Sequence, residues 1–212
     1  SINNTTINAG SNANQFAFDV CGYAKYTAGV TVTVSGTSVI NGKVEISKSA
    51  GNTEPMKLNI TGGTFNGDLK VDASVGTENA KSIISVSGGT FSDPSALKYM
   101  KTNANVNIKL TADKTCPGFK TTSGQTLTMD LGGKILTLAD PTVGSTGTET
   151  NSCQLLEGSN VTFKNGTLKS DNNKIMIQNY CNLTLDNMTV EDTNAQYVVS
   201  NNCGNISINN TT

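Results

Sequence analysis

A short internal repeat constrains the fold of this chain more than any other feature. Apolar-x-apolar segments, each followed by a polar or glycine-containing corner and a further apolar residue, recur along the sequence, as in residues 58–65 (LNITGGTF) and 183–190 (LTLDNMTV). The second apolar residue of each copy serves as a marker, and the steps in residue number between successive markers are 26, 26, 22, 21, 34, 22 and 23. These marker residues are Val34, Ile60, Val86, Ile108, Met129, Phe163, Leu185 and Ile208.

A step in the low twenties is typical of one turn of a three-sided β-solenoid. Within each copy, the period-2 alternation points every second residue inward, and the Gly-Gly or Asn-Gly pair tolerates the positive φ of a corner. One turn alone leaves its strand edges unpaired, so turns must stack to satisfy the backbone and bury the inward face. We therefore expect an all-β fold, a right-handed parallel β-helix of about eight rungs of 21–26 residues with one longer loop.

Two other repeat patterns fit less well. A leucine-rich repeat has a similar period but needs its own leucine and asparagine pattern, which is absent. An antiparallel β-sandwich also has short strands, but they recur every 8–12 residues without copying each other's corners. Two stretches interrupt the repeat: we expect residues 140–151 to form an exposed loop, and residues 92–100 to form a helical turn with Ser92 or Asp93 as its cap and Pro94 first.

The chain begins and ends with the same six residues, SINNTT, at 1–6 and 207–212. Ile7 follows the first copy and supplies the apolar position that the repeat requires after Thr212. We expect residues 1–212 to form a single solenoid domain that is one 206-residue period (212 − 6) of a tandem array. The alternative is that similar rungs happen to begin and end one domain. The residues expected in end-to-end stacking are Ser1, Ile2, Asn3, Asn4, Thr5, Thr6, Ile206 and Ile208.

Five cysteines lie close to the predicted strands: Cys21, Cys116, Cys153, Cys181 and Cys203. Cys181 and Cys203 have a 22-residue spacing, about one turn, and we expect them to stack; Cys116 and Cys153 also precede successive rungs. Neighbouring rungs bring Cα atoms about 4.8 Å apart, within the range of a disulfide. Two interpretations stay open: a set of disulfides, with Cys21 or Cys203 linking to another copy, or a ladder of reduced, buried thiols.

Composition excludes several functions. The chain contains no Arg, His or Trp, and its net charge is −1, so we expect no nucleic-acid partner. Without His, Ser-His-Asp and Cys-His catalysis cannot occur, and no zinc site is expected. No apolar run reaches the roughly 18–20 residues of a membrane helix. We expect no membrane span in this segment and no catalytic, cofactor or metal site.

Many parallel β-helices act on polysaccharides, and glycosidases among such enzymes need paired carboxylates about 5–9.5 Å apart. The acidic residues on the predicted strands do not form a dense cluster, and we expect them to be solvated. They are Asp130, Asp171, Asp186, Glu191 and Asp192. Ten Asn-x-Ser/Thr sequons fall mostly on the strand-and-corner pattern, and we interpret them as by-products of the repeat.

Residues 61–65 (TGGTF) and 87–92 (SGGTFS) resemble the SGGTF repeats of bacterial, notably gut-associated, cell-surface proteins, which are similar to pectate-lyase-like β-helix adhesins. The resemblance covers about residues 30–100 closely. It implies surface display and adhesion to a host or to glycans, and it transfers no active site because the motif is structural.

These observations lead to an expected function that is mechanical rather than enzymatic. We expect a structural repeat unit of an extracellular filament or cell-surface stalk, with other copies of the chain as its end-to-end partners. The alternative is a glycan-binding adhesin or phage-fibre module that uses the 140–151 loop and one flat face. A polysaccharide lyase or hydrolase is the third candidate.

Overall fold

The computed structural model describes residues 1–10, 15–139, 142–147, 149–171 and 174–212. The strands of its three sheets pair in parallel, and the chain forms a β-solenoid of about eight turns. This confirms the parallel β-helix predicted from the repeat. Two compact units divide the chain, Ser1–Lys101 and Thr102–Thr212.

Along the described residues, twenty strands and two short helices follow one another. They are β1 (Ile2–Asn3), β2 (Thr6–Asn8), β3 (Phe16–Gly22), β4 (Val30–Ser35), β5 (Val39–Asn41), β6 (Lys43–Lys48), β7 (Met56–Ile60), β8 (Thr64–Phe65), β9 (Leu69–Val71), α1 (Thr77–Ile83), β10 (Ile84–Phe91), a 3₁₀ helix (Pro94–Tyr99), β11 (Met100–Lys109), β12 (Lys114–Pro117), β13 (Phe119–Lys120), β14 (Thr126–Ala139), β15 (Asn151–Leu155), β16 (Asn160–Ser170), β17 (Ile175–Asn179), β18 (Asn182–Asp192), β19 (Tyr197–Asn201) and β20 (Asn205–Asn209).

In the first unit, β1, β4, β7 and β10 form a face that we call the main face, and β3, β6 and β9 form a second face. Short strands β2, β5 and β8 pair in that order beside the main face. In the second unit, β11, β14, β16, β18 and β20 form the main face, and β13, β15, β17 and β19 form the second face. Strands β14, β16 and β18 are long because each continues through a corner.

The register agrees with the marker residues found in the sequence. Val34 lies opposite Ile60, and Ile60 lies opposite Val86, so each predicted 26-residue step is one turn. In the second unit, the later steps of the series are reproduced by the pairs Ile108–Met129, Met129–Phe163, Phe163–Leu185 and Leu185–Ile208. One longer step was not predicted: Ile2 lies opposite Val34 (34 − 2 = 32).

Inward-pointing side chains of successive turns stack into apolar columns. Val34, Ile60, Val86, Met129 and Phe163 have no exposed surface. A second column runs beside the main face, where Phe65 stacks on Phe91 with ring centroids 4.9 Å apart. Each fully buried side chain of this size contributes about 1.5–3 kcal/mol through removal from water, so these columns are the main stabilising feature of each unit.

The corners that follow the main-face strands contain residues with positive φ. Asn4, Asn165, Asn187 and Asn210 have φ between 45° and 60°. Asn reaches this left-handed region more easily than most residues because its short side chain forms local hydrogen bonds. At Gly36, with φ 63°, an added Cβ atom would meet the Asn4 Oδ1 atom of the preceding turn, so glycine allows these two corners to approach closely.

The two interruptions differ in how well they were predicted. The 3₁₀ helix begins at Pro94, with the Asp93 carboxylate accepting a hydrogen bond from the Ser95 N–H, which confirms the expected helical turn. Helix α1 was not predicted. Of the expected loop at 140–151, residues 140, 141 and 148 lie outside the described residues. Most of the described loop residues, 142, 145–147, 149 and 150, are exposed as expected. Val143 is buried and forms an antiparallel bridge with Asn151, so the loop is anchored at that point, which was not expected.

Candidate functional site

The N-terminal copy of the hexapeptide uses one backbone edge. Ile2 and Asn3 lie opposite Val34 and Ser35 of the following turn, and Thr6 lies opposite Val39. The strand continues in register, with Ile7 opposite Ile40. In the described structure, this rung is therefore bonded to the turn that comes after it in the chain.

The C-terminal copy uses the opposite edge. Ile208 and Asn209 lie opposite Leu185 and Asp186 of the preceding turn. At the corner, the Thr212 N–H donates to the Met188 carbonyl at 2.9 Å, and the Val190 N–H donates to the Thr212 carbonyl at 2.9 Å. The same six residues thus pair with the following turn at 1–6 and with the preceding turn at 207–212.

The two copies also share one conformation. Asn4 and the equivalent Asn210 have φ of 50° and 45°. The Thr5 hydroxyl donates to the Asn3 carbonyl at 2.9 Å, and the Thr211 hydroxyl donates to the Asn209 carbonyl at 2.8 Å. The two copies pair with neighbouring turns on opposite sides and still have the same local structure. We therefore attribute this conformation to the hexapeptide sequence itself.

Apolar side chains are less buried on these rungs than on the turns beside them. Ile208 is 57% exposed, whereas Leu185, directly opposite, is 2% exposed. Ile2, Ile7 and Ile206 are half-buried, and so is Val190 of the turn beside the C-terminal rung. Ser1, Asn3, Asn4, Thr5 and Thr6, the other residues predicted for end-to-end stacking, are exposed. Val190 was not predicted as part of this surface, although its position as the apolar residue after a corner is a signal that would have found it.

Ladders of asparagine side chains run along the outer surface of each unit. In the second unit the Asn205 amide donates to Asn182 at 3.0 Å, and the Asn182 amide donates to Asn160 at 2.9 Å. In the first unit Asn66, Asn41 and Asn8 form an equivalent series with distances of 2.7 Å. Such ladders fix one turn over the next, because a slip of one residue would break every bond.

The structure corrects the expectation of disulfides within the chain. None of the five cysteines forms a disulfide or lies at disulfide distance from another. The local turn between Cys181 and Cys203 is a 23-residue step, because Asn182 lies opposite Asn205. Gly204, not Cys203, therefore stacks on Cys181, and the slip of one residue turns the Cys203 side chain outward.

The other cysteine pair fails for a different reason. Cys116 lies opposite Leu138 beside the main face, whereas Cys153 lies opposite Phe119 on the second face. Cys116, Cys153 and Cys181 are buried, as the interpretation of reduced, buried thiols requires, while Cys21 and Cys203 are exposed. Burial, together with the nearby Cys116 and Cys181 thiols, raises the pKa of the Cys153 thiol far above its usual range. Burial also raises the pKa of Cys181.

Three of the five acidic residues singled out in the sequence, Asp130, Glu191 and Asp192, are engaged in ion pairs or turns. Glu191 lies 3.3 Å from the Lys169 ammonium, and the Asp192 carboxylate accepts hydrogen bonds from the N–H groups of Asn194 and Ala195. Burial would raise the pKa of Asp130. Hydrogen bonds from the Asn165 amide and the Gly132 N–H, with Lys164 3.6 Å away, outweigh burial and lower that pKa.

Among the described residues, no group of three or more His, Cys, Asp or Glu side chains is placed to hold a metal ion. A surface cavity of about 330 Å³ lies beside the second face of the second unit. It is lined by Ser145, Gln154, Leu156, Glu157, Tyr180 and Cys203.

Fold and surface place the chain in the structural class of parallel β-solenoid proteins. Comparison with protein-family models, with curated proteins and with solved structures finds no match. In the part of the chain that the structure describes, no helix has the length and apolar character needed to span a bilayer.

Proposed function

We propose that this protein is a structural unit whose copies stack end to end into an extracellular filament or cell-surface stalk. One observation carries the proposal: the same hexapeptide, in the same conformation, pairs through opposite backbone edges at 1–6 and at 207–212. An edge strand with unpaired N–H and C=O groups is a template for another strand. The second copy of the chain provides the matching edge.

Interior packing and surface ladders supply the mechanical properties of such a filament. Within each unit, main-chain hydrogen bonds and buried apolar columns hold the described turns together. Solenoids of this kind gain stability from each added neighbour. Asn ladders keep the turns in register. We infer a role without catalysis, supported by the absence of Arg and His from the sequence and by the ion pairs that engage Asp130 and Glu191.

An extracellular location is part of the proposal. Its support is the resemblance of residues 61–65 and 87–92 to the SGGTF repeats of bacterial cell-surface proteins. A low content of charged residues, 15%, and abundant Asn, Ser and Thr are compatible with a neutral, hydrogen-bonding outer surface.

Self-association of the purified chain tests the proposal. We expect concentration-dependent oligomers in analytical ultracentrifugation and unbranched fibres in electron micrographs. Ile208→Lys places a charge where another turn would stack and should abolish both, since Ile208 is already 57% exposed and the single chain should still fold.

Ile135→Lys is the matched control, because Ile135 is also a large exposed apolar residue, 39% exposed, but lies away from the two hexapeptides. It should leave assembly unchanged. A chain that stays monomeric at every concentration, or fibres that survive Ile208→Lys, would contradict end-to-end stacking.

A second candidate function is saccharide binding at the cavity lined by Tyr180, Gln154 and Glu157. Its volume of about 330 Å³ falls within the range of small-molecule sites, and its aromatic ring, amide, hydroxyl and carboxylate groups could contact a sugar. Ser145 belongs to the loop from which contacts with glycans were expected. Glycan-array binding that is lost in Tyr180→Ala would support this function, and no binding by the intact chain would remove it.

A further inference from the structure

We infer that residues 207–212 of one copy and residues 1–6 of the next are a single shared rung when copies join, so that the array has a 206-residue period (212 − 6). This inference rests on the proposed end-to-end function and specifies the contact between copies. We call that contact the seam.

Backbone pairing is the first support. If the two hexapeptides are overlaid, their shared isoleucine lies opposite Leu185 on one side and opposite Val34 of the next copy on the other. The overlaid rung is then bonded on both edges, as β16 is by β14 and β18. A shared rung must fit both neighbours, and this requirement explains why the two hexapeptides have the same sequence.

The register beyond the hexapeptide is the second support. The hydrogen bonds of Thr212 with Met188 and Val190 place Thr212 opposite Thr189. In a shared rung, Ile7 of the next copy follows at once and lies opposite Val190. Asn8 then lies opposite Glu191, continuing the strand without a gap.

The apolar interior continues across this seam. Leu168 of one copy lies opposite Val190, and Ile7 of the next copy lies opposite Ile40. Placing Ile7 on Val190 joins these pairs into one column. Its members are Leu136, Leu168 and Val190 of one copy and Ile7, Ile40, Phe65 and Phe91 of the next.

Burial along this column falls at the seam. Leu168 and Ile40 have no exposed surface, whereas Val190 and Ile7 are half-buried. Val190 has Leu168 as its neighbour in the column, and Ile7 has Ile40, so a copy joined at the seam would give each a second neighbour. The corner also continues across the seam. Asn187 of one copy (φ 54°), the shared Asn210 or Asn4, and Gly36 of the next copy (φ 63°) would lie in successive turns, and all have left-handed φ.

A direct junction from Thr212 to Ser1 would not have these properties. It would place the polar Ser1 opposite Val190. One turn earlier, the equivalent position of this column is occupied by the apolar Leu168. The six duplicated residues would then have to loop out at the corner. The shared rung and the direct junction therefore predict different best lengths for two joined copies.

Three joined chains distinguish the two. Residues 1–206 followed by 1–212 give a 418-residue chain (206 + 212) with one shared hexapeptide at the seam. Residues 1–206 followed by 7–212 give a 412-residue chain (206 + 206) that lacks it, and two full chains give a 424-residue chain (212 + 212) that carries it twice. We expect the 418-residue chain to have the highest midpoint of thermal unfolding, with the other two lower by roughly 2–5 °C.

The joined chain contains its own matched control, because Val190 occurs twice in it. Val190→Ser in the first copy opens the seam column beneath Ile7 and should lower the unfolding midpoint by roughly 2–5 °C. The same substitution in the second copy lies at an open edge and should have less than half that effect. This contrast does not depend on whether the shorter or longer chains fold.

The outcomes separate the shared rung from the proposed function. A maximum for the 418-residue chain together with unequal effects of the two Val190 substitutions supports the shared rung. Equal effects of the two substitutions, or a maximum for the 424-residue chain, would overturn the shared rung while leaving end-to-end stacking in place. If no joined chain were more stable than the single chain, both the shared rung and the proposed function would fail.

Discussion

Cys203 is a non-glycine residue with positive φ at a corner where an earlier turn uses Gly158. It has φ 65° and lies two residues before Asn205 of the main face. Gly158 lies two residues before Asn160 in the same register and has φ 79°. A left-handed conformation costs a residue with a Cβ about 1–2 kcal/mol, so Cys203 carries strain that Gly158 avoids.

We therefore expect Cys203→Gly to stabilise the chain. Relief of the left-handed strain outweighs the greater flexibility of glycine in the unfolded state, for a net gain of about 0.5–1 kcal/mol in the free energy of unfolding. Cys203→Ala removes the thiol but keeps the Cβ, and should change stability little. Urea unfolding checks both variants. Equal stabilities of the Gly and Ala variants would contradict the assignment of strain to the Cβ.

Thiol accessibility tests the cysteine assignments. Cys21 and Cys203 are exposed, whereas Cys116, Cys153 and Cys181 are buried. Because burial raises the pKa of Cys153 and Cys181, their reactive thiolate forms are scarce in the folded protein. An aromatic disulfide reagent should modify two thiols in the native chain and all five after denaturation. Fewer than five after denaturation, without added reductant, would indicate a disulfide.

At the scale of the strand, the asparagine ladder has a central member that makes two bonds. Asn182 donates to Asn160 and accepts from Asn205. Asn182→Ala should lower the free energy of unfolding by about 1 kcal/mol, since the ladder is exposed and water replaces part of each lost bond. Asn107→Ala is the control, because Asn107 is exposed on the same face and lies opposite Thr128 rather than in the ladder. Equal losses in the two variants would show that the ladder adds no stability.

The sequence predicted the strands of the main face because apolar alternation leaves few registers that bury the inward side chains. The positions of Ile60 and Phe163 opposite their neighbours follow from this pattern alone. It did not predict the cysteine geometry. The 22-residue spacing of Cys181 and Cys203 differs by one residue from the local 23-residue turn, and one residue decides which side of the strand a thiol faces.

Helix α1 and the first turn show a second limit of the repeat pattern. Residues 77–83 carry no glycine or proline signal that distinguishes a helix from a corner, and tertiary context decides the outcome. The long step from Ile2 to Val34 was missed because the series of markers was started at Val34. In the candidate site, the hexapeptide and the apolar position of Val190 after a corner were visible in the sequence. That Val190 is only half-buried follows from the structure alone.

At the scale of the whole molecule, each copy has two complementary edges in the proposed filament. Heterologous contacts of this kind do not close on themselves and add copies without limit. Through the shared rung, the edge at Leu185 of one copy is joined to the edge at Val34 of another, and two like edges offer no equivalent parallel register. Each fibre end therefore accepts only the opposite edge of an incoming chain. A chain carrying Ile208→Lys keeps its N-terminal edge intact, so it should still add to the fibre end that exposes an unchanged Ile208.

Hydrogen exchange of the hexapeptide in the 418-residue joined chain measures whether two copies share a rung. SINNTT occurs there three times: at the start, at the seam and at the end. The seam copy should exchange its amide hydrogens as slowly as strand β16, because both of its edges are paired, while the two outer copies exchange faster. If the seam copy exchanged as fast as the outer two, copies of this chain would not share a rung.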